Sequence, residues 1–214
     1  AAGKRVAIFD ADFGLANVDV FLGLNPKYHL GHVIEGVRTL RSVIVHSPEG
    51  VDIIPASSGI QELTMMGEAK RRELLSQLVA VSRNYDYILI DTAAGIADNV
   101  IRFLMAARRV IVVSAPEPTA IVDAYALIKV LIRRDKEKEL FLLVNSAQDM
   151  EEARGVHQQL ARVVSRFLGH SLIYLGAIPK DKKVCESVRL QTPLLVSHPR
   201  SYISRCFRQI AEDL

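Results

Sequence analysis

Tyr87-Ile88-Leu89-Ile90-Asp91-Thr92-Ala93-Ala94-Gly95 reads as a short apolar strand that ends on a carboxylate and a glycine turn. Four apolar residues without alternation predict a strand buried on both faces, the habit of parallel sheets covered by helices. Val110-Ile111-Val112-Val113 has the same unbroken character. Working outward, strand-like runs cover Arg5–Phe9, Val51–Pro55, Tyr87–Asp91, Val110–Ser114, Leu140–Asn145 and Leu172–Ile178. Helical periodicity fills the gaps at Lys70–Arg83, Ala97–Ala107, Thr119–Arg134, Glu152–Leu168 and Pro199–Asp213, with shorter helices at Val18–Leu22 and Lys183–Arg189. Such alternation implies βαβ units with right-handed crossovers. The expected fold is α/β: a three-layer, doubly wound, mainly parallel sheet flanked by helices, as one domain over residues 1–214. Ligands of such sheets bind at the carboxyl ends of strands, so functional residues should follow the strands directly.

Composition narrows the function. The 214 residues are 50% hydrophobic and 24% charged, an ordinary globular balance. A formal net charge of +3, with no basic stripe interleaved with aromatics, argues against direct nucleic-acid binding. Lys180, Lys182 and Lys183 read as a solvated turn. Cys185 and Cys206 have no metal-ligand spacing, which fits a reducing compartment. No secretory leader or spanning stretch is evident, so a cytoplasmic location is expected.

Two acidic motifs follow strands. Asp10 and Asp12, in Asp10-Ala11-Asp12-Phe13-Gly14-Leu15-Ala16-Asn17-Val18-Asp19, fall on the same side by the two-residue period. Two such carboxylates repel unless something positive lies near them, and a hydrated metal or a polarised water would serve. Asp91 ends its strand in a Walker B arrangement, which holds Mg²⁺. Gly95 would let the backbone approach a phosphate and donate an N–H. The alternative readings are that Asp91 caps a turn, and that Asn17 or Asp19 caps the next helix. Asn145 ends another strand, where its amide offers one donor and one acceptor, and Ile178-Pro179-Lys180-Asp181 ends the last. Both also suit plain turns. Glu117-Pro118-Thr119 is good helix-start chemistry. In Pro199–Leu214 the residues Tyr202, Ile203, Cys206, Phe207, Ile210 and Leu214 form an apolar stripe. That stripe suits either packing on the sheet or an interfacial membrane helix.

Taken together, these motifs resemble the MinD/ParA family of deviant Walker A ATPases over essentially the whole chain. The likeness is nearest to the family's flagellar-number regulators. The finer match rests on Asp10–Asp19, on Gly23-Leu24-Asn25-Pro26-Lys27 and on Pro55-Ala56-Ser57-Ser58-Gly59. It rests too on Asp91–Gly95, and on Glu117-Pro118-Thr119 with Asp123-Ala124-Tyr125-Ala126-Leu127-Ile128-Lys129. The resemblance implies ATP and Mg²⁺ as ligands. It implies that Asp12 orients the attacking water, that Asp10 sits near the Mg²⁺ shell and that Asn17 helps to position the first switch. Asp91 would hold Mg²⁺ through water and Gly95 would face the γ-phosphate. Asn145, Pro179 and Asp181 would flank the adenine. Asp123 and Lys129 would lie near a nucleotide-dependent dimer face.

The same resemblance implies parts that are not visible here. A Lys-Gly-Gly-x-Gly-Lys-Thr loop is not found, and Gly3-Lys4 enters a strand rather than a helix. The family pattern places Ala1–Gly3 at the end of the helix after that loop. The first strand, the loop and most of that helix are then expected to precede Ala1. The expected place of that strand is between those ending at Asp91 and Ser114. Without it, several buried backbone groups at about 1–3 kcal/mol each would outweigh a typical stability of roughly 5–15 kcal/mol. Residues ahead of Ala1, an element from another chain, or re-pairing of the two strands would each resolve this; the first is expected. Family members also carry a membrane-targeting helix beyond the position of Leu214, so peripheral contact with the inner face of the cell membrane is part of the expectation.

The function implied is an ATP-hydrolysing switch that dimerises on ATP and regulates flagellar number or placement. Its implied partners are a flagellar assembly GTPase, a flagellar switch-ring protein or a transcription regulator. The alternatives are a non-catalytic interaction module of the same fold and a positioning ATPase for another cargo. A dinucleotide oxidoreductase is disfavoured, because no Gly-x-Gly-x-x-Gly follows the first strand.

Overall fold

A computed structural model of the chain describes residues 3–56 and 67–214. The chain divides into two compact units, Ala1–Ala94 and Gly95–Leu214. Ser57–Gly59 of the expected motif, and Ala1 and Ala2, lie outside the described residues.

The first unit runs β1 (Val6–Ala11), α1 (Val18–Phe21), α2 (Leu30–Ile34), a 3₁₀ turn (Leu40–Val43), β2 (Val45–His46), β3 (Asp52–Ile54), α3 (Glu68–Ser82) and β4 (Tyr87–Thr92). Its sheet has the order β2-β3-β1-β4. β1 is parallel to both β3 and β4, and β2 is antiparallel to β3. Arg5 sets the start of the β1–β4 pair: its backbone N–H and guanidinium both donate to the Asp86 carboxylate, at 2.8 and 3.1 Å. From there the register runs Val6 opposite Tyr87 through Asp10 opposite Asp91. Phe9, Leu30, Leu40, Ile53, Ile54 and Leu74 are buried and form the core of this unit.

The second unit runs α4 (Asp98–Ala106), β5 (Arg109–Ser114), α5 (Pro118–Arg134), β6 (Glu139–Ala147), α6 (Met150–Leu168), β7 (Ile173–Pro179), α7 (Lys182–Arg189), α8 (Leu194–Ser197) and α9 (Tyr202–Glu212). Its sheet is fully parallel, in the order β5-β6-β7. β6 shows why an unbroken apolar run belongs in such a sheet. Leu140, Leu142 and Val144 pack with Ile128 and Leu131 of α5 and Leu160 and Val164 of α6. Phe141 and Leu143, pointing the other way, pack with Ile203 and Ile210 of α9. Helices therefore cover both faces, and the α/β architecture expected from the alternation is present.

The helix limits follow their caps. Pro118 takes the first helical position of α5, as its fixed φ favours. Asp149 starts α6 by accepting the N–H groups of Glu151 and Glu152, at 2.9 and 2.8 Å, and Gly169, with φ +61°, ends it. Ser201 starts α9 two residues past Pro199 by accepting the Ser204 N–H. Of the apolar stripe, Ile203 and Ile210 are buried against Phe141, Leu175 and Ile178, with Phe207 and Leu214 packed on the same cluster, while Tyr202 stays exposed. That favours the sheet-packed reading of this segment.

Two expectations are corrected. Burial on both faces fails for β4 and for part of β5. Tyr87 and Leu89 are 43% and 44% exposed, and Val113 is 58% exposed. The reason is topological: among the described residues, β4 and β5 each end their sheet, with a partner strand on one side only. The second correction is to residues 23–50, which hold α2, the 3₁₀ turn and β2, none of them anticipated. These elements are too short to show a period, and α2 starts on a histidine rather than a usual cap residue.

Candidate functional site

Asp10 is 1% exposed at the end of β1, and its two oxygens are held by backbone amides. Oδ1 accepts the Asp12 N–H at 3.2 Å; Oδ2 accepts the N–H groups of Asn17 at 3.1 Å and Val18 at 3.2 Å. Asn17 and Val18 are the cap and first residue of α1. The carboxylate thus ties the loop 12–18 back onto the strand it leaves. The positive partner that the sequence demands for this carboxylate is, among the described residues, a set of peptide N–H groups. Burial pushes the Asp10 carboxyl above its usual range, the three hydrogen bonds pull it back and the Asp91 charge adds to the rise.

Asp12 is half-buried. Its Oδ1 accepts the N–H groups of Gly14 and Leu15, at 3.2 and 3.0 Å, an Asx turn that leaves Oδ2 outside these bonds. Phe13 goes inward, edge-on to Phe9 with centroids 6.5 Å apart, and anchors the loop. Asn17 holds the cap position of α1, but its side chain makes no capping bond and it is exposed. Capping therefore does not account for the Asn17 side chain.

Asp91 stands opposite Asp10 in the β1–β4 register, so the two carboxylates meet at the ends of neighbouring parallel strands. It keeps an exposed edge. Partial burial pushes its carboxyl up, and the Asp12 charge pushes it further. Among the described residues, no three His, Cys, Asp or Glu side chains converge closely enough to hold a metal ion. A cation here would need water or ligand oxygens to complete its shell, as Mg²⁺ sites on one or two carboxylates do. The donor set fits that description: hard oxygens, an exposed carboxylate and uncompensated negative charge.

In the second unit, Gly95 has φ +95° and an open surround, so its backbone is accessible. Asn145 is exposed on β6 and pairs in register with Ile178, while Ala147 pairs with Pro179 across a bulge. Ser146 adopts φ +59° in that bulge, and the Lys180 N–H donates to the Ala147 carbonyl at 2.8 Å. Asn145 and Pro179 are therefore brought to one end of β6 and β7. Asp181 caps α7 by accepting the Lys183 N–H at 2.9 Å, so its structural role is realised. Asp123 is exposed and Lys129 half-buried on α5. Nothing in the residue pattern around Ser146 signals its left-handed backbone, because glycine or asparagine is the usual occupant there.

Comparison with known proteins follows the same lines. A family model described as an AAA domain matches residues 1–142. The antiactivator FleN of Pseudomonas aeruginosa is 43% identical over 212 residues, 99% of this chain and 76% of its own length. The flagellum site-determining protein YlxH of Helicobacter pylori is 34% identical over 98% of this chain and 71% of its own. Among solved structures, the septum site-determining protein MinD of Pyrococcus horikoshii, complexed with Mg-ADP, aligns with a TM-score of 0.81 at 22% identity, over 99% of this chain and 83% of its own. The MinC–MinD complex of Aquifex aeolicus aligns with a TM-score of 0.78 at 24% identity, over 99% and 83%.

Proposed function

The chain belongs to the MinD/ParA family of ATPases, on the branch of the flagellar regulators FleN and YlxH, and from that membership we propose that it is an ATP-binding, ATP-hydrolysing switch that dimerises on ATP and regulates flagellar number or placement. The observation that carries this reading is the juxtaposition of Asp10 and Asp91 at adjoining strand ends with Asp12 beside them. Phosphoryl transfer to water needs positioning and charge neutralisation more than covalent chemistry. Bound Mg²⁺ supplies the neutralising charge on the phosphates.

The chain's own residues divide the rest. Asp91, with its exposed carboxylate, would hold Mg²⁺ through water. Asp12 orients the attacking water with the oxygen that its Asx turn does not use. Asp10 is a positioning residue: its oxygens are committed to the loop's amides, so it fixes Asp12 and Asn17 rather than ligating the ion. Gly95 offers its backbone N–H toward the γ-phosphate. Asn145 reads the adenine edge, with Pro179 and Asp181 shaping the loop beside it. The output of such a cycle is assembly and release, with Asp123 and Lys129 of α5 near the dimer face. The partners that suit this reading are a flagellar assembly GTPase, a switch-ring protein or a transcription regulator, met in the cytoplasm or at the inner membrane face.

Equilibrium binding of a fluorescent ATP analogue to the full-length protein, with and without Mg²⁺, tests the reading. Saturable binding that Mg²⁺ tightens, and that Asp91→Asn makes insensitive to Mg²⁺, is expected. No binding under either condition would leave a non-catalytic interaction module of this fold.

A further inference from the structure

The segment after the Gly23–Lys27 motif contains a device that the ATPase chemistry does not use. Helix α2 starts at His29, and its first turn is closed by two histidines acting reciprocally. His29 Nδ1 accepts the Gly31 N–H at 3.1 Å, and His32 Nδ1 accepts the His29 N–H at 3.3 Å. This has the form of a capping box, a pattern that ordinarily pairs Ser or Thr with Glu or Gln. Those side chains keep their acceptors through the neutral range. An imidazole nitrogen that accepts an N–H carries no proton, and a protonated imidazole has no acceptor at all. The box exists only while both rings are neutral, with their protons on Nε2.

The two ring centroids are 4.1 Å apart, at the helix end where backbone N–H groups already concentrate positive charge. Other cations lie near. Arg38 and Lys27 sit over the Tyr28 ring, at 4.1 and 5.4 Å from its centroid, and Tyr28 is edge-on to His32 at 5.4 Å. The elements packed against α2 contribute Arg41 from the 3₁₀ turn, and Lys70 and Glu73 from α3. Glu35 at the end of α2 is the charge that favours a protonated His29; burial and the neighbouring His32 oppose it and hold His29 below its usual value. The same turn ties down the chain beyond β3, because the Leu30 N–H donates to the Pro55 carbonyl at 2.9 Å.

We propose that the His29–His32 box is a proton-sensitive latch, closed when both imidazoles are neutral and released when either is protonated, so that mild acid frees the first turn of α2 and its tie to Pro55. Histidine is the side chain whose ordinary charge change lies closest to neutral pH, which is what mild acid requires of such a latch. The sign is set by the acceptor geometry. The folded turn prefers the neutral ring, so its stability is full above the ordinary histidine value and falls as pH drops below it.

The test is hydrogen exchange and imidazole ¹⁵N NMR on the full-length protein, set against the double substitution His29→Ser with His32→Gln. That pair restores a box with acceptors that do not titrate in this range. In the native protein at about pH 7.5, both Nδ1 atoms should be unprotonated, and the protection of the His29 and Gly31 amides should fall roughly tenfold by about pH 5.5. In the double variant the same protection should not change with pH. Protonated Nδ1 atoms at the higher pH, native protection that is independent of pH, or an equal fall in the variant would each overturn the proposal.

Discussion

Replacing Asp10 by asparagine separates a structural clamp from a metal ligand. The native carboxylate holds three backbone amides at 3.1–3.2 Å from a position that is 1% exposed. Asparagine keeps one carbonyl oxygen. Set in the place of Oδ2, it retains the Asn17 and Val18 amides, but its NH₂ then faces the Asp12 N–H, donor against donor. One buried donor left without an acceptor costs about 1–3 kcal/mol. The two surviving bonds also lose their charge-assisted strength, for about 1 kcal/mol more. Against this, the substitution removes a buried negative charge beside Asp91. The Asp10 carboxyl is raised in the folded protein, so its favourable contribution is present below the unfolded value and is lost as pH rises through the folded one. At neutral pH the ionised group is therefore partly a burden, and its removal offsets part of that loss. The net expectation is a loss of about 1–3 kcal/mol at neutral pH, or roughly 2–10 °C in Tm for a chain of this size. The deficit should widen as pH falls toward 4, where the native carboxyl is less of a burden. Thermal unfolding of the two proteins across that range, with hydrogen exchange at Asn17 and Val18, measures both effects. A variant as stable as the native protein at neutral pH, with both amides still protected, would refute the clamp.

The opposite sign is expected at Asp91. It faces the same charge cluster but has no hydrogen-bond donor among the described residues, so Asp91→Asn should be neutral to slightly stabilising, within about 0.5 kcal/mol, as calorimetry would register. At Gly176, with φ +138° and a built Cβ 3.2 Å from Ile210 Cγ1, alanine should strain β7 and push α9, lowering stability by about 1–3 kcal/mol in urea unfolding. Asn145→Ala should weaken ATP binding and erase the preference for adenine over guanine nucleotides, read by competition with GTP, while leaving Tm within a few degrees because the side chain is exposed.

The parallel strands and long helices were legible because they are written in period and run length. β6 is the clearest case, with Leu140 to Val144 feeding two cores on opposite faces. β4 has the same apolar signature and a different fate. Its run reports that a strand can be covered on both faces, not how many neighbours it has, and Leu89 remains 44% exposed at a sheet end. At the site, the positions of Asp10, Asp12 and Asp91 followed from strand ends alone. Their division of labour did not. Which carboxylate meets backbone amides depends on where the loop 12–18 returns, and that is set by the burial of Phe13 and Val18. Asn17 illustrates the same limit: its residue type suggests a helix cap, yet Asp10 reaches the amides instead. The histidine box of α2 was illegible because no capping pattern includes histidine at both positions.

The carboxylates at the ends of β1 and β4 are proposed to run a nucleotide-dependent assembly cycle. Sedimentation velocity of the full-length protein with ATP and Mg²⁺, beside Asp12→Ala, tests it most directly. The native protein should pass through a dimer and return to monomer as ATP is consumed, and the Asp12→Ala protein should stay dimeric with ATP bound. Monomers throughout in both proteins, or an Asp12→Ala dimer that dissolves as fast as the native one, would contradict it.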